Sequence, residues 1–228
     1  MGEGGCDEVV EVLVVKASDI AKLLSKPPEG DGVSLKFGKI FEEEYALANH
    51  IYSSAWNVRK IPRSFIRKVA ARLRSEGIYS RELVLKAYRA YSALLRAGVV
   101  GEKPPTHFKE FKDSIFVAAQ PDLYDAFTDT YYEFKLYPIN DYARAQARVF
   151  AWVLGEPIIL VGLKERPGGY FEVEKEVITP LNTLDVSPEE LRRIAHTEEF
   201  CKDLKIPVHL FMKYMVRYSY EVDEGLTP

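Results

Sequence analysis

The stretch Ala119-Gln-Pro-Asp122-Leu-Tyr-Asp125-Ala-Phe-Thr-Asp-Thr-Tyr-Tyr-Glu133-Phe-Lys135, with Ile139–Leu154 and Pro157–Leu163 (PIILVGL) behind it, decides the fold. Thr130–Tyr137 is β-branched and aromatic and reads as a strand; Ser114–Ala119 reads as the strand before it. Asp122 ends that earlier strand, and its eleven-residue separation from Glu133 is enough for a hairpin that sets the two side by side. Ile139–Leu154 has helical periodicity, and PIILVGL is a continuous apolar run of the kind buried on both faces of a sheet. A strand, a helix and a second strand in this order make a crossover, expected to be right-handed. The predicted class is α/β, a mixed central sheet flanked by helices.

Working outward, Val9–Lys16 reads as a strand, Ser18–Leu24 as a short helix and Val33–Phe37 as a short strand after a glycine-rich turn. Helices are predicted over Ile40–Trp56, Pro62–Glu76 and Ser80–Ala97; Gly77 and Gly98 punctuate the last two. Tyr170–Ile178 reads as a strand. Ser187-Pro-Glu-Glu190 is a capping box, so a helix starts there and is expected to run to about Asp203. Val208–Val222 is apolar and aromatic and fits helix or strand equally well. One domain over residues 1–228 is expected, with 57–100 as a basic helical insertion.

The chain has 228 residues, 47% of them apolar and 29% charged, the balance of a globular protein able to bury a core unaided. No apolar run reaches the roughly 18 residues of a membrane span, no signal-peptide pattern opens the chain, and a cytoplasmic location is the expectation. The net charge of −3 hides a segregation. Residues 57–100 hold eleven basic and two acidic side chains, a local charge of +9 that leaves −12 on the rest. Such a face suits a polyanion, and it equally suits a pair of well-solvated helices.

Side chains at i and i+2 of a strand share a face, so Glu133 and Lys135 project together while Tyr132, Phe134 and Leu136 face the core. Two carboxylates about 4 Å apart repel by roughly 4 kcal/mol at an effective dielectric near 20. A shared hard cation, Mg²⁺ or Mn²⁺, removes that conflict, and the Lys135 ammonium can then assist an attacking water. Glu-x-Lys alone carries little: Glu110-Phe-Lys112 repeats it and reads as a solvated strand entry. On Ile40–Trp56, Glu44 falls inside the apolar stripe and His50 outside it. A carboxylate on the core side needs an ion pair or a metal, which makes Glu44 a candidate third ligand. Gln146 lies near the middle of the apolar stripe of Ile139–Leu154 and needs buried partners, which backbone or the carboxylates can supply.

Pro121-Asp122, Glu133-Phe134-Lys135 and Gln146-x-x-x-Phe150, in this order, resemble the PD-(D/E)xK nuclease superfamily and, more narrowly, its RecB-like branch. The resemblance spans roughly residues 38–165 and implies a restriction-endonuclease-like core with an added helical subdomain. It implies that Asp122, Glu133 and the Phe134 carbonyl bind metal, that Glu44 completes the site, that Lys135 assists the water and that Gln146 contacts substrate or lysine. Members carrying an iron–sulfur cluster use four cysteines; this chain has only Cys6 and Cys201, so no cluster is expected.

The implied activity is a metal-dependent deoxyribonuclease acting on single-stranded or end-bearing DNA. Arg63, Arg67, Lys68 and Arg72 are the candidate phosphate contacts, and Tyr137 is the candidate base contact among several tyrosines, most of which read as core. A non-catalytic DNA-binding subunit and a structure-specific endonuclease remain as alternative readings. The oligomeric state stays open, a dimer included.

Overall fold

The computed structural model describes residues 12–52, 63–112, 114–197, 201–202 and 210–211, and the side chains of 49–52 lie outside that description. The chain begins with β1 (Leu13–Lys16), which runs directly into α1 (Ala17–Leu24), and continues through α2 (Gly32–Tyr52), α3 (Arg63–Ser75) and α4 (Arg81–Arg96). Four strands follow: β2 (His107–Lys112), β3 (Ile115–Ala119), β4 (Leu123–Asp125) and β5 (Thr130–Lys135). Then come α5 (Asp141–Leu154), β6 (Ile158–Glu165), β7 (Phe171–Ile178) and α6 (Pro188–Ile194).

The strands form two mixed sheets, ordered β1-β3-β2 and β4-β5-β6-β7. In the larger sheet β5 and β6 are parallel and joined through α5, while β4 and β7 pair antiparallel at its two edges. Alternation on β6 feeds two cores. Val161 and Leu163 join Phe41, Tyr45, Phe65, Val69, Tyr91 and Phe134, so α2, α3 and α4 pack on that face. Ile158 and Leu160 join Ile20, Ala147, Phe150 and Trp152, so α1 and α5 cover the other. The class is α/β, and within PIILVGL the run from Ile158 to Leu163 is buried on both faces apart from the half-buried Ile159, while Pro157 is exposed.

Several boundaries depart from the sequence reading for physical reasons. Val33–Phe37 is not a strand: it is the first turns of α2, capped where Ser34 N–H donates to the Asp31 carboxylate at 2.6 Å. Its alternation of apolar and polar residues misleads because Val33 and Leu35 are exposed and only Phe37 is buried. The capping box at Ser187 is present in full, but α6 stops at Ile194. There the backbone turns extended, and His196 N–H donates to Val14 O while Val14 N–H donates to Thr197 Oγ1, covering the outer edge of β1. The undecided segment Val208–Val222 falls almost wholly outside the described residues; Phe211 is buried against Val12, Val14 and Phe116.

The expected hairpin between Ser114–Ala119 and Thr130–Tyr137 does not form. Ile115–Ala119 pairs with β1 and β2 in the other sheet, and the three-residue β4 is the true partner of β5, with Leu123 opposite Tyr132. Asp125 closes that short hairpin: its carboxylate accepts from Phe127 N–H at 3.0 Å and Thr128 Oγ1 at 2.8 Å. Gly162 marks a second tight point. A Cβ there would lie 2.7 Å from Ile139 N, so only glycine lets the chain leaving β5 cross β6 on its way into α5. Among the described residues no helix is long and apolar enough to cross a membrane.

Candidate active site

Beyond Leu123, where β4 begins, β5 loses its antiparallel neighbour, and the site is built in that gap. Tyr132 and Phe134 enter the core with α2 and α4, which turns Glu133 and Lys135 to the opposite face. Both are buried, Glu133 at 2% exposure and Lys135 at 8%. Lys135 Nζ donates to Glu133 Oε1 at 2.5 Å, while Glu133 Oε2 is buried with no hydrogen-bond partner among the described residues. The register that pairs Leu123 with Tyr132 sets Asp122 across from Glu133, and Asp122 Oδ2 accepts from Phe134 N–H at 2.8 Å. A strand residue that exchanges hydrogen bonds with its neighbour turns N–H and C=O to the same side. The Phe134 carbonyl therefore faces the gap as well.

Charge is unbalanced here. Burial, and then the Asp122 charge, pushes the Glu42 carboxyl up to about 8, with Lys135 opposing. Burial likewise raises Asp122, opposed by Lys135 and the Phe134 N–H. Glu133 is held well above the carboxylate range by burial and by Asp122 and Glu42, despite its bond to Lys135. Burial alone would lower Lys135, but Glu133, Asp122 and Glu42 outweigh it and hold the amine well above its ordinary value. Three carboxylates thus share the neighbourhood of one buried ammonium, with the more exposed Lys103 acting on Asp122 and Glu42 from outside. Lys103 arrives because Glu102 and Tyr124 exchange backbone hydrogen bonds of 2.9 and 2.7 Å along the outer edge of β4. At Gly101, φ is +153° and a Cβ would lie 2.5 Å from Tyr124 O, so glycine permits the approach.

The structure gives Glu44 and Glu42 different surroundings. Glu44 is buried, as its place in the stripe predicts, but its Oε1 lies 3.5 Å from Arg72 Nη1, away from the Asp122 cluster. Glu42, two residues earlier and so about 200° around the helix, carries the charge that acts on Asp122 and Glu133. The run Glu42-Glu43-Glu44 was the available signal; only the docking of α2 says which member points to the site. Nothing in the sequence marked Lys103.

Arg72, one of the candidate phosphate contacts, is instead paired within the protein, to Glu43 at 2.5 Å and to Glu44 at 3.5 Å. Arg63, Arg67 and Lys68 lie exposed on α3 with no ion pair among the described residues. Arg59 and Lys60 of the basic stretch, and the His50 side chain, lie outside the description. Tyr137 is half-buried; burial raises its hydroxyl, which sits in the field of Lys135, Glu133 and Glu42. Tyr142 from α5 shares that field. Gln146 is half-buried and makes no hydrogen bond among the described residues, so the expected bond to Lys135 or the carboxylates is absent from this arrangement. A cleft of about 450 Å³ is lined by Glu43, Ala46, Leu47, Glu102 and Lys103.

Glu42 and Glu44 separate experimentally. A carboxyl whose folded value exceeds its unfolded one costs no stability below pH 4; the cost grows with pH and levels off near pH 8. Glu42→Gln should therefore stabilise the metal-free protein at pH 8 by about 1–3 kcal/mol and leave it unchanged at pH 4. Glu44→Gln removes a partner of Arg72 and should destabilise slightly at pH 8. Thermal melts of the two variants at both pH values check this, and equal behaviour would undo the distinction.

Among the described residues no three His, Cys, Asp or Glu side chains are already gathered as a metal-ready cluster. No family model, curated protein or solved structure matches the chain.

Proposed function

We propose that this chain is a Mg²⁺- or Mn²⁺-dependent deoxyribonuclease with a restriction-endonuclease-like core, hydrolysing phosphodiester bonds in single-stranded or end-bearing DNA. The observation that carries the reading is the excess of carboxylate beside one buried lysine, with Glu133 Oε2 left without a hydrogen-bond partner among the described residues. An oxygen-rich, negatively charged donor set fits a hard divalent cation. Asp122, Glu133 and the Phe134 carbonyl would hold it, with Glu42 in the place first given to Glu44. When bound, the cation would supply charge neutralisation at phosphorus and a more acidic water.

The remaining work falls to the chain. The Phe134 N–H fixes the rotamer of Asp122, and Glu133 Oε1 fixes Lys135 so that its other protons are directed into the gap. An ammonium held there orients the attacking water and steadies the charge that gathers on the phosphate oxygens. Arg63, Arg67 and Lys68 on α3 present a cationic surface for the rest of the strand.

A second reading is a DNA-binding subunit that keeps the fold without turnover, which Arg63, Arg67 and Lys68, exposed on α3, suit equally. Labelled linear and circular DNA, incubated with and without Mg²⁺ or Mn²⁺, decide between them, with binding measured in parallel against salt. Metal-dependent loss of label supports the nuclease. Salt-sensitive binding without cutting in either metal ends that proposal in favour of the binding subunit.

A further inference from the structure

Residues 131, 133 and 135 share one face of β5, and across the ladder Tyr124 is opposite Tyr131 just as Asp122 is opposite Glu133. Two tyrosines therefore continue the face that carries the carboxylates, two residues, or roughly 7 Å, further along the hairpin. Their rings lie 4.6 Å apart at 36°, and the edge of His107 meets Tyr131 at 5.7 Å and 88°. Tyr124 is held in place by a 2.7 Å hydrogen bond from its hydroxyl to Asp129 Oδ1. Tyr131 packs partly against the α5 core, and both rings keep part of their surface open to solvent. Beyond them, at the turn, Phe127 is 77% exposed.

The charges around the pair decide what it can receive. Asp129 and Glu156 both act on the Tyr124 and Tyr131 hydroxyls, so the patch repels phosphate. Burial lowers His107 below the usual imidazole value, against the opposing Glu156 charge. A flat neutral group is favoured, and one linked to an anion that rests about one nucleotide away, between Lys103 and the carboxylate gap. We propose that Tyr124 and Tyr131 form a stacking platform for an unpaired nucleobase adjacent to the scissile phosphate. A paired base has both faces covered by its neighbours in the duplex, so the platform selects single strands or frayed ends. This rests on the nuclease reading and adds to it a basis for strand selection.

The test compares short oligothymidylate with an abasic oligomer of equal length, each fluorescently labelled and bound to the full chain in Ca²⁺. Tyr131→Leu, which keeps apolar contact and loses the ring face, should weaken oligothymidylate binding about tenfold. It should leave the abasic oligomer's affinity unchanged, and Tyr131→Phe should stay within about twofold of the parent. Tyr124→Leu should reproduce the base-dependent loss and guards against a local folding defect in the first variant. Equal losses on both oligomers, or no loss on either, overturn the platform while leaving Mn²⁺-dependent cutting, and with it the nuclease reading, intact. A parent chain that neither binds these oligomers nor cuts DNA in Mn²⁺ ends both.

Discussion

Asp122→Asn is expected to lower Mn²⁺-dependent cleavage of linear DNA by more than about 100-fold, because loss of a partner outside the ligand shell alone costs roughly 10- to 100-fold. Asparagine keeps the size of the side chain and an oxygen that can accept from Phe134 N–H at the position where Asp122 Oδ2 now does, at 2.8 Å. It removes only the charge. The fold should therefore survive, with an unchanged circular dichroism spectrum, and binding of a labelled single strand in Ca²⁺ should persist through α3. Asp122→Ala should lose activity to the same degree and some stability as well, since Phe134 N–H then loses its acceptor. Single-turnover cleavage at saturating enzyme separates the chemical step from binding. Parent-like rates in Asp122→Asn would remove Asp122 from the centre and leave the assignment of Glu133 without its partner.

The second large effect is on stability. Lys135→Ala leaves Glu133 buried at 2% exposure without the ammonium that its Oε1 now contacts at 2.5 Å. Breaking a buried pair from one side costs about 3–5 kcal/mol, whereas an exposed pair is worth about 0–1 kcal/mol. Chemical denaturation of the metal-free variant should show the larger loss. The double variant Glu133→Gln/Lys135→Ala should recover part of it, since the carboxylate paired with the missing ammonium is neutralised while Asp122 and Glu42 keep theirs. Mn²⁺ should stabilise Lys135→Ala more than it stabilises the parent, because the cation replaces the missing positive charge. A cost below about 1 kcal/mol would mean that the pair is effectively solvated. Cleavage by Lys135→Ala should fall as well, by about 10²–10⁴-fold if the ammonium assists proton movement at the water.

These expectations share a cause with the Glu42 result. A centre crowded with like charge is unstable on its own, and on the nuclease reading a bound cation relieves it, so neutralising substitutions are expected to stabilise while they inactivate. Glu42 and Asp122 belong to that group. Lys135 is the exception, because it is the cation that already compensates them.

How much of this was legible without coordinates follows from the range of each interaction. Alternation is local, so the shared face of Glu133 and Lys135, the two-faced burial of Ile158–Leu163 and the capping box at Ser187 could all be read from neighbouring residues. The buried position of Glu44 was equally legible, as was the exposed state of Glu110 and Lys112 in the decoy tripeptide. Pairing is not local. The β4 strand is three residues long, too short for any alternating pattern to announce it, and it takes the place beside β5 that the longer Ile115–Ala119 seemed to claim. Periodicity gives a helix an apolar side but no bearing on a site beyond that side. Glu42 therefore gained its place from how α2 docks through Phe41 and Tyr45 against Phe134. Lys103 reached the cluster through a backbone bridge at a glycine, a contact set by chain path alone. The residue types came from the chain; their meeting was decided by tertiary packing, because burial and charge repulsion act on whatever the fold brings within a few ångströms.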